Sequence, residues 1–351
     1  MGLFVVLPIA ALLAFGLGGA ENSVIVFGPL VTFALPALTM VAFWWEDWPG
    51  SSLRPAWSAL VDTLLIVVAG VALAVIAQAI VGRFDASGIF DPTPGPGDTP
   101  LFPSALPLGL PAFTAMLMLT LVWEGWPLKR LHRLPAGIAA LALSWGVALA
   151  VYYLAYDLPT PSGSGLISQS GPYSGEDIAS LLALIGSWQV WIFLVWRGWP
   201  LHGLQQRWLR IILGNLLVLG GAALTYVIVY GAAGLEQPII VAAAASFNSG
   251  GLVIGLLFEG AFRSRLSLPW ERVATFFSAV LIGALIFVTL LAYAETLTWS
   301  TANAEAWVGH VCVNSLGLAV ILHVAVCHRW PLDDKTANLE EAEAEASTRS
   351  S

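Results

Sequence analysis

The chain has 351 residues, of which 58% are hydrophobic and only 10% charged, and its net charge is −8. A mean hydropathy of +0.82 excludes an ordinary water-soluble protein. Only two of the fourteen basic residues are Lys, so neither a nucleic-acid partner nor a polybasic membrane anchor is indicated.

Taken in order, the chain presents ten apolar runs, approximately 3–20, 24–45, 56–82, 109–124, 134–156, 178–197, 207–231, 238–259, 271–294 and 305–328. About 20 apolar residues cross a hydrocarbon core of roughly 30 Å as a helix. Inside that core a helix satisfies its own backbone polar groups, whereas a β-barrel would show short alternating segments. The fold class expected is all-α, a polytopic integral membrane bundle with the lipid bilayer as its surroundings. The first run lacks a basic residue ahead of it and is followed at once by a partner run from Ser23, so it reads as a membrane helix and not a secretory leader.

A signature closes every second run: Trp45-Glu46-Asp47-Trp48-Pro49, Trp123-Glu124-Gly125-Trp126-Pro127, Trp196-Arg197-Gly198-Trp199-Pro200, a worn copy Phe258-Glu259-Gly260-Ala261-Phe262, and His328-Arg329-Trp330-Pro331. This tandem self-similarity predicts five two-helix repeats, about 1–50, 51–128, 129–201, 202–262 and 263–331, within one transmembrane domain of 1–331. All five would run in the same direction. The Trp pair suits the headgroup boundary, and Gly followed by Pro stops a helix there.

The linkers after the even-numbered runs hold thirteen of the fourteen basic residues, and Arg83 alone lies on the other side. That asymmetry places the signature face and both termini in the cytoplasm of a plasma, bacterial inner-type, membrane. The opposite face is acidic, with Glu21, Asp157, Glu176, Asp177, Glu236, Glu295 and Glu305 among its residues. Such a field concentrates cations over anions, although a solvated polar rim is the simpler account of each acid singly. The connections Arg83–Leu108 and Asp157–Glu176 are rich in Pro, Gly and Ser and read as loops over this face. The tail 332–351 is acidic, with too little apolar surface to fold alone.

Two sets of residues are candidates for function. The middle signature positions Glu46, Glu124, Arg197, Glu259 and His328 would form an inner-boundary ring if the hairpins close around one axis, with interfacial ion pairing as the plainer alternative. Counting 1.5 Å per residue from the signatures puts Asn248 and Asn314 near mid-membrane, where with His310 and Gln189 they would line a solute pathway or else join helices by hydrogen bonds. His323 and Cys327, four apart, are the nearest approach to a metal pair, but two ligands are not a site, so no metal is assigned and no cofactor is inferred. There is no helix-borne Lys, Cys-x-x-Cys, Gly-x-Ser-x-Gly or His-Glu-x-x-His to support an enzyme. Transport or conduction of a small cationic or neutral solute is the leading expectation. A non-catalytic scaffold in a larger membrane complex and an embedded enzyme or redox subunit are the alternatives, with other membrane subunits or self-association as the corresponding partners.

Overall fold

A computed structural model describes residues 2–16, 18–82, 101–160, 166–262 and 265–329, with the backbone alone at 101–104. The 332–351 tail, Trp330-Pro331 and most of the connection from Arg83 lie outside these residues. The described chain is mostly helical. Among the described residues nine helices are long and apolar enough to cross a membrane: α2 (Gly19–Trp44), α3 (Pro55–Val81), α4 (Ala105–Val122), α5 (Arg133–Leu154), α6 (Gly175–Val195), α7 (Arg207–Ala232), α8 (Gln237–Leu257), α9 (Leu268–Ala294) and α10 (Ala304–Val326). Ahead of them α1 (Leu3–Phe15) is apolar but has 13 residues, about 20 Å at 1.5 Å each. It breaks at Gly16 and Gly18, both left-handed, and so does not extend to residue 20.

Five helices form an inner ring. Asn314 Nδ2 of α10 donates to the Gly28 carbonyl of α2 at 3.1 Å, and Phe33 and Thr32 of α2 lie against Gly109 of α4. Gln189 Nε2 of α6 reaches the Thr114 carbonyl of α4 at 3.4 Å. Ser187 of α6 donates to the Ala244 carbonyl of α8 at 3.3 Å, and Ser249 of α8 donates to the Cys312 carbonyl of α10 at 2.8 Å. The other five helices lie outside. The contrast in burial is plain from the most apolar 18-residue stretches of α2, 78% buried, and α9, 11% buried; the exposed apolar face of α9 suits lipid.

Each outer helix packs chiefly on the inner helix that precedes it: α3 on α2, α5 on α4, α7 on α6, α9 on α8. The remaining outer helix, α1, packs on α10, where Trp307 Nε1 donates to the Ala14 carbonyl at 3.1 Å. The signature turns therefore sit inside these packed pairs, not at their ends, and the first and last helices make the fifth pair. Each outer helix also covers the seam to a second inner helix. The indole N–H of Trp45 reaches the Leu134 carbonyl of α5, Trp123 reaches Asn215 of α7, and Trp196 reaches the Arg272 carbonyl of α9.

The signatures share one backbone geometry. Each inner helix ends in a wide π turn (Met40–Trp44, Met118–Val122, Val190–Val195, Val253–Leu257, Leu322–Val326). In four copies two residues then turn left-handed: Glu46-Asp47, Glu124-Gly125, Arg197-Gly198 and His328-Arg329. The amide of the second bonds a carbonyl six residues back: Asp47 to Val41, Gly125 to Leu119, Gly198 to Ile192, Arg329 to His323, at 2.7–3.0 Å. These bonds satisfy carbonyls that a helix end would otherwise leave bare. The worn copy turns only Gly260.

One loop reading needs correction. The fourth helix begins at Leu101, inside the segment expected to be a loop, and carries Pro107 and Pro111 within it. The 157–176 connection is ordered in its described parts, as a small sheet of order β2-β1-β3 with β1 (Tyr156–Leu158), β2 (Gln169–Ser170) and β3 (Tyr173–Ser174). β1 pairs antiparallel with β2 and parallel with β3.

Candidate functional site

A cavity of about 230 Å³ lies within the ring, and all five inner helices line it. Its walls run from the first or second turns, at Val24, Leu106, Ala179, Val241 and Ala306, to Asn248 and Asn314 near mid-helix and to Leu117 and Gln189 further along theirs. No signature residue borders it. Closer to the signatures α6, α8 and α10 are tightly packed: Gly251 abuts Val190, Gly255 abuts Leu194, and Gly317 abuts Leu252. The cavity thus belongs to the half of the ring away from the basic linkers.

The lining is predominantly apolar, and among the described residues it includes no Asp, Glu, Lys or Arg. Its polar groups are His310, Asn314, Gln189, Asn248, Thr32 and Thr114. Asn314 donates to the Gly28 carbonyl, and its Oδ1 lies 3.2 Å from Thr32 Oγ1, whose hydroxyl is nearer the Gly28 carbonyl at 2.8 Å. His310 is held from behind. Its Nε2 lies 2.8 Å from Ser23 Oγ and 3.3 Å from the Leu13 carbonyl, and the Ser23 hydroxyl itself donates to that carbonyl. The one hydroxyl proton being used, Nε2 carries the ring proton and donates, which leaves Nδ1 as a bare acceptor. Nδ1 has no hydrogen-bond partner and lies 3.2 Å from where a Cβ on Gly28 would stand. Gln189 Oε1 and Asn248 Oδ1 are likewise buried without a partner. Three acceptor atoms, from α6, α8 and α10, therefore remain unsatisfied around one apolar cavity, where each costs free energy until a donor meets it.

The signature residues lie far from this cavity and pair with other elements. Glu124 Oε2 meets Arg210 Nη2 of α7 at 2.8 Å, and Arg197 Nη1 lies 3.8 Å from Glu271 of α9. His328 Nε2 meets Asp47 of the first signature at 2.9 Å. Glu46 and Glu259 are exposed. The left-handed backbone directs Glu46, Glu124, Arg197 and His328 away from the ring axis, a conformation the helical spacing did not reveal. Among the described signature Trp residues Trp48, Trp126 and Trp199 are the exposed ones, whereas Trp45, Trp123 and Trp196 are partly buried and donate to neighbouring helices.

Several other singled-out residues hold the frame. Buried Asp62 accepts from the Gly50 amide at 2.9 Å and from Ser58, not from a linker arginine. Glu21 accepts from Ser300, Thr301 and Ala302. Asp177 takes Tyr226 at 2.5 Å and Gln237 at 3.2 Å, and its Ser174 capping box starts α6. His323 is buried beside Gly2, and Cys327 lies just beyond α10. Among the described residues no three His, Cys, Asp or Glu side chains group as metal ligands.

Nine apolar spans define a multi-pass membrane protein with a chamber between its inner helices. Comparison with protein-family models, curated proteins and solved structures finds no match to this chain.

Proposed function

We propose that the protein is a transporter or channel that moves a small cationic or neutral solute across a bacterial inner membrane. The observation carrying this reading is the cavity between the five inner helices, with its three unpaired acceptors at mid-height. On this reading the chain is built of five tandem two-helix repeats crossing ten times. The signature face and both termini lie in the cytoplasm, in keeping with the basic linkers. The cavity then faces the acidic side, and the close-packed half near the signatures is the barrier a transport cycle opens. His310, Asn314, Gln189 and Asn248 bind the solute in transit.

The test is flux through the purified full chain reconstituted in lipid vesicles, using potassium, methylammonium and urea as probes. The expected result is uptake of at least one probe above protein-free vesicles, falling at least tenfold in Asn248→Ala. Vesicles no leakier than blanks, or an Asn248→Ala protein with unchanged flux, would overturn the reading.

A further inference from the structure

Resting on that reading of the cavity, we infer that its ligand is a small neutral molecule with an apolar body and hydrogen-bond donors, and not an ion. Three features fix the class. First, the unsatisfied atoms are all acceptors: His310 Nδ1, Gln189 Oε1 and Asn248 Oδ1. Of the donors on these residues, Gln189 Nε2 is bonded to Thr114 and His310 Nε2 to Ser23. A ligand that brings N–H or O–H groups completes them, whereas one that brings only acceptors leaves them bare. Second, the lining offers a cation no carboxylate and an anion no Lys or Arg. An unpaired ion in so apolar a space loses far more hydration than three neutral acceptors return. Third, the volume suits more than water. A cavity of about 150 Å³ takes a benzene ring, so about 230 Å³ takes a ring with a short polar substituent.

The acidic rim does not alter this choice. Glu21 and Asp177 are engaged with backbone and side-chain donors at the helix starts, and neither lines the chamber. Gly28 is a further element of the site. A methyl group there would stand 3.2 Å from His310 Nδ1 and crowd the atom a donor has to reach.

A series built on one ring separates the possibilities: benzyl alcohol (neutral donor), toluene (no donor), benzylammonium (cation) and benzoate (anion). Binding is measured by calorimetry on the full chain in lipid nanodiscs, with empty nanodiscs of the same lipid as blanks for partitioning. Benzyl alcohol is expected to bind at least fivefold tighter than toluene, with benzylammonium and benzoate at least tenfold weaker than the alcohol. Asn248→Leu and Gln189→Leu should each weaken the alcohol roughly fivefold, the loss of about one hydrogen bond, and leave toluene unchanged. Toluene also reports that each variant keeps its chamber. Benzylammonium binding as tightly as the alcohol, or alcohol and toluene binding alike in all three proteins, would overturn the inference, as would no binding by any member. If the alcohol behaves as expected while the flux assay fails, the ligand class stands and transport falls. If flux is found but follows methylammonium with benzylammonium as its tightest competitor, transport stands and the neutral class falls.

Discussion

His328 Nε2 stands 2.9 Å from Asp47 Oδ2, so the last signature is tied directly to the first. The Asp47 side chain is nearly buried and the imidazole about one-third exposed, which puts the pair at the boundary between surface and interior. Asp47→Asn keeps the shape and removes the charge. We expect a loss of about 0.5–1 kcal/mol, read as a fall of a few degrees in the thermal midpoint of the detergent-purified protein. An unchanged midpoint would show that the pair contributes nothing.

Gly50 marks the closest approach of a signature linker to an outer helix. A Cβ there would stand 2.0 Å from Asp62 Oδ2 and 2.7 Å from Ser58 Oγ, displacing the carboxylate that holds the Gly50 amide. Gly50→Ala is expected to destabilise by about 1–3 kcal/mol. Gly146→Ala in α5, with nothing within 4 Å, is the control and should leave thermal stability unchanged or improved.

Gly250 and Gly283 let α8 and α9 meet backbone to backbone. A Cβ on Gly250 would lie 2.3 Å from the Ala279 carbonyl and 2.7 Å from the Gly283 amide. Gly250→Val should therefore pry α9 away and cut the yield of monodisperse protein in size-exclusion chromatography, whereas Gly255→Ala, whose Cβ has 3.5 Å to Leu194, should not.

The two free cysteines should differ in reactivity. Cys312 is fully buried, so maleimide should not reach it in the folded protein. Cys327 is partly accessible, but burial, with Asp62 and Asp47 adding to it, pushes its thiol up to about 11. Its thiolate is then about 0.1% populated at pH 8, and labelling should rise about tenfold per unit between pH 8 and 10. Asp62→Asn should speed labelling at pH 8. Rapid labelling of native protein at pH 7, by mass spectrometry, would contradict this placement.

Much of the fold can be read from hydropathy, because an apolar run of 20 residues has few alternatives to a membrane helix. The start of α4 cannot. Pro107 reads as loop punctuation in water, yet with Pro111 four residues on it lies inside the helix, on the same face, and each removes only one N–H. The left-handed pair in each signature was half legible. Gly125 and Gly198 announce a φ near +76° to +79°, but Glu124 and Arg197 adopt φ 51° with no sign in their side chains. That turn, dictated by the backbone bond to Leu119 or Ile192, sends the middle residues to outer helices. For the chamber, counting residues gives depth but not direction. Which side of α8 Asn248 presents depends on the close approach of Gly186 on α6, a contact between segments distant in sequence.

The pairing of α1 with α10 has a consequence for biosynthesis. Synthesis runs from α1 towards α10, so α1 leaves the ribosome well before the helix it packs on, and four of the five wall helices are made while α1 waits in the bilayer. A nascent chain halted before residue 304 would lack one of the five walls, leaving the chamber open on that side.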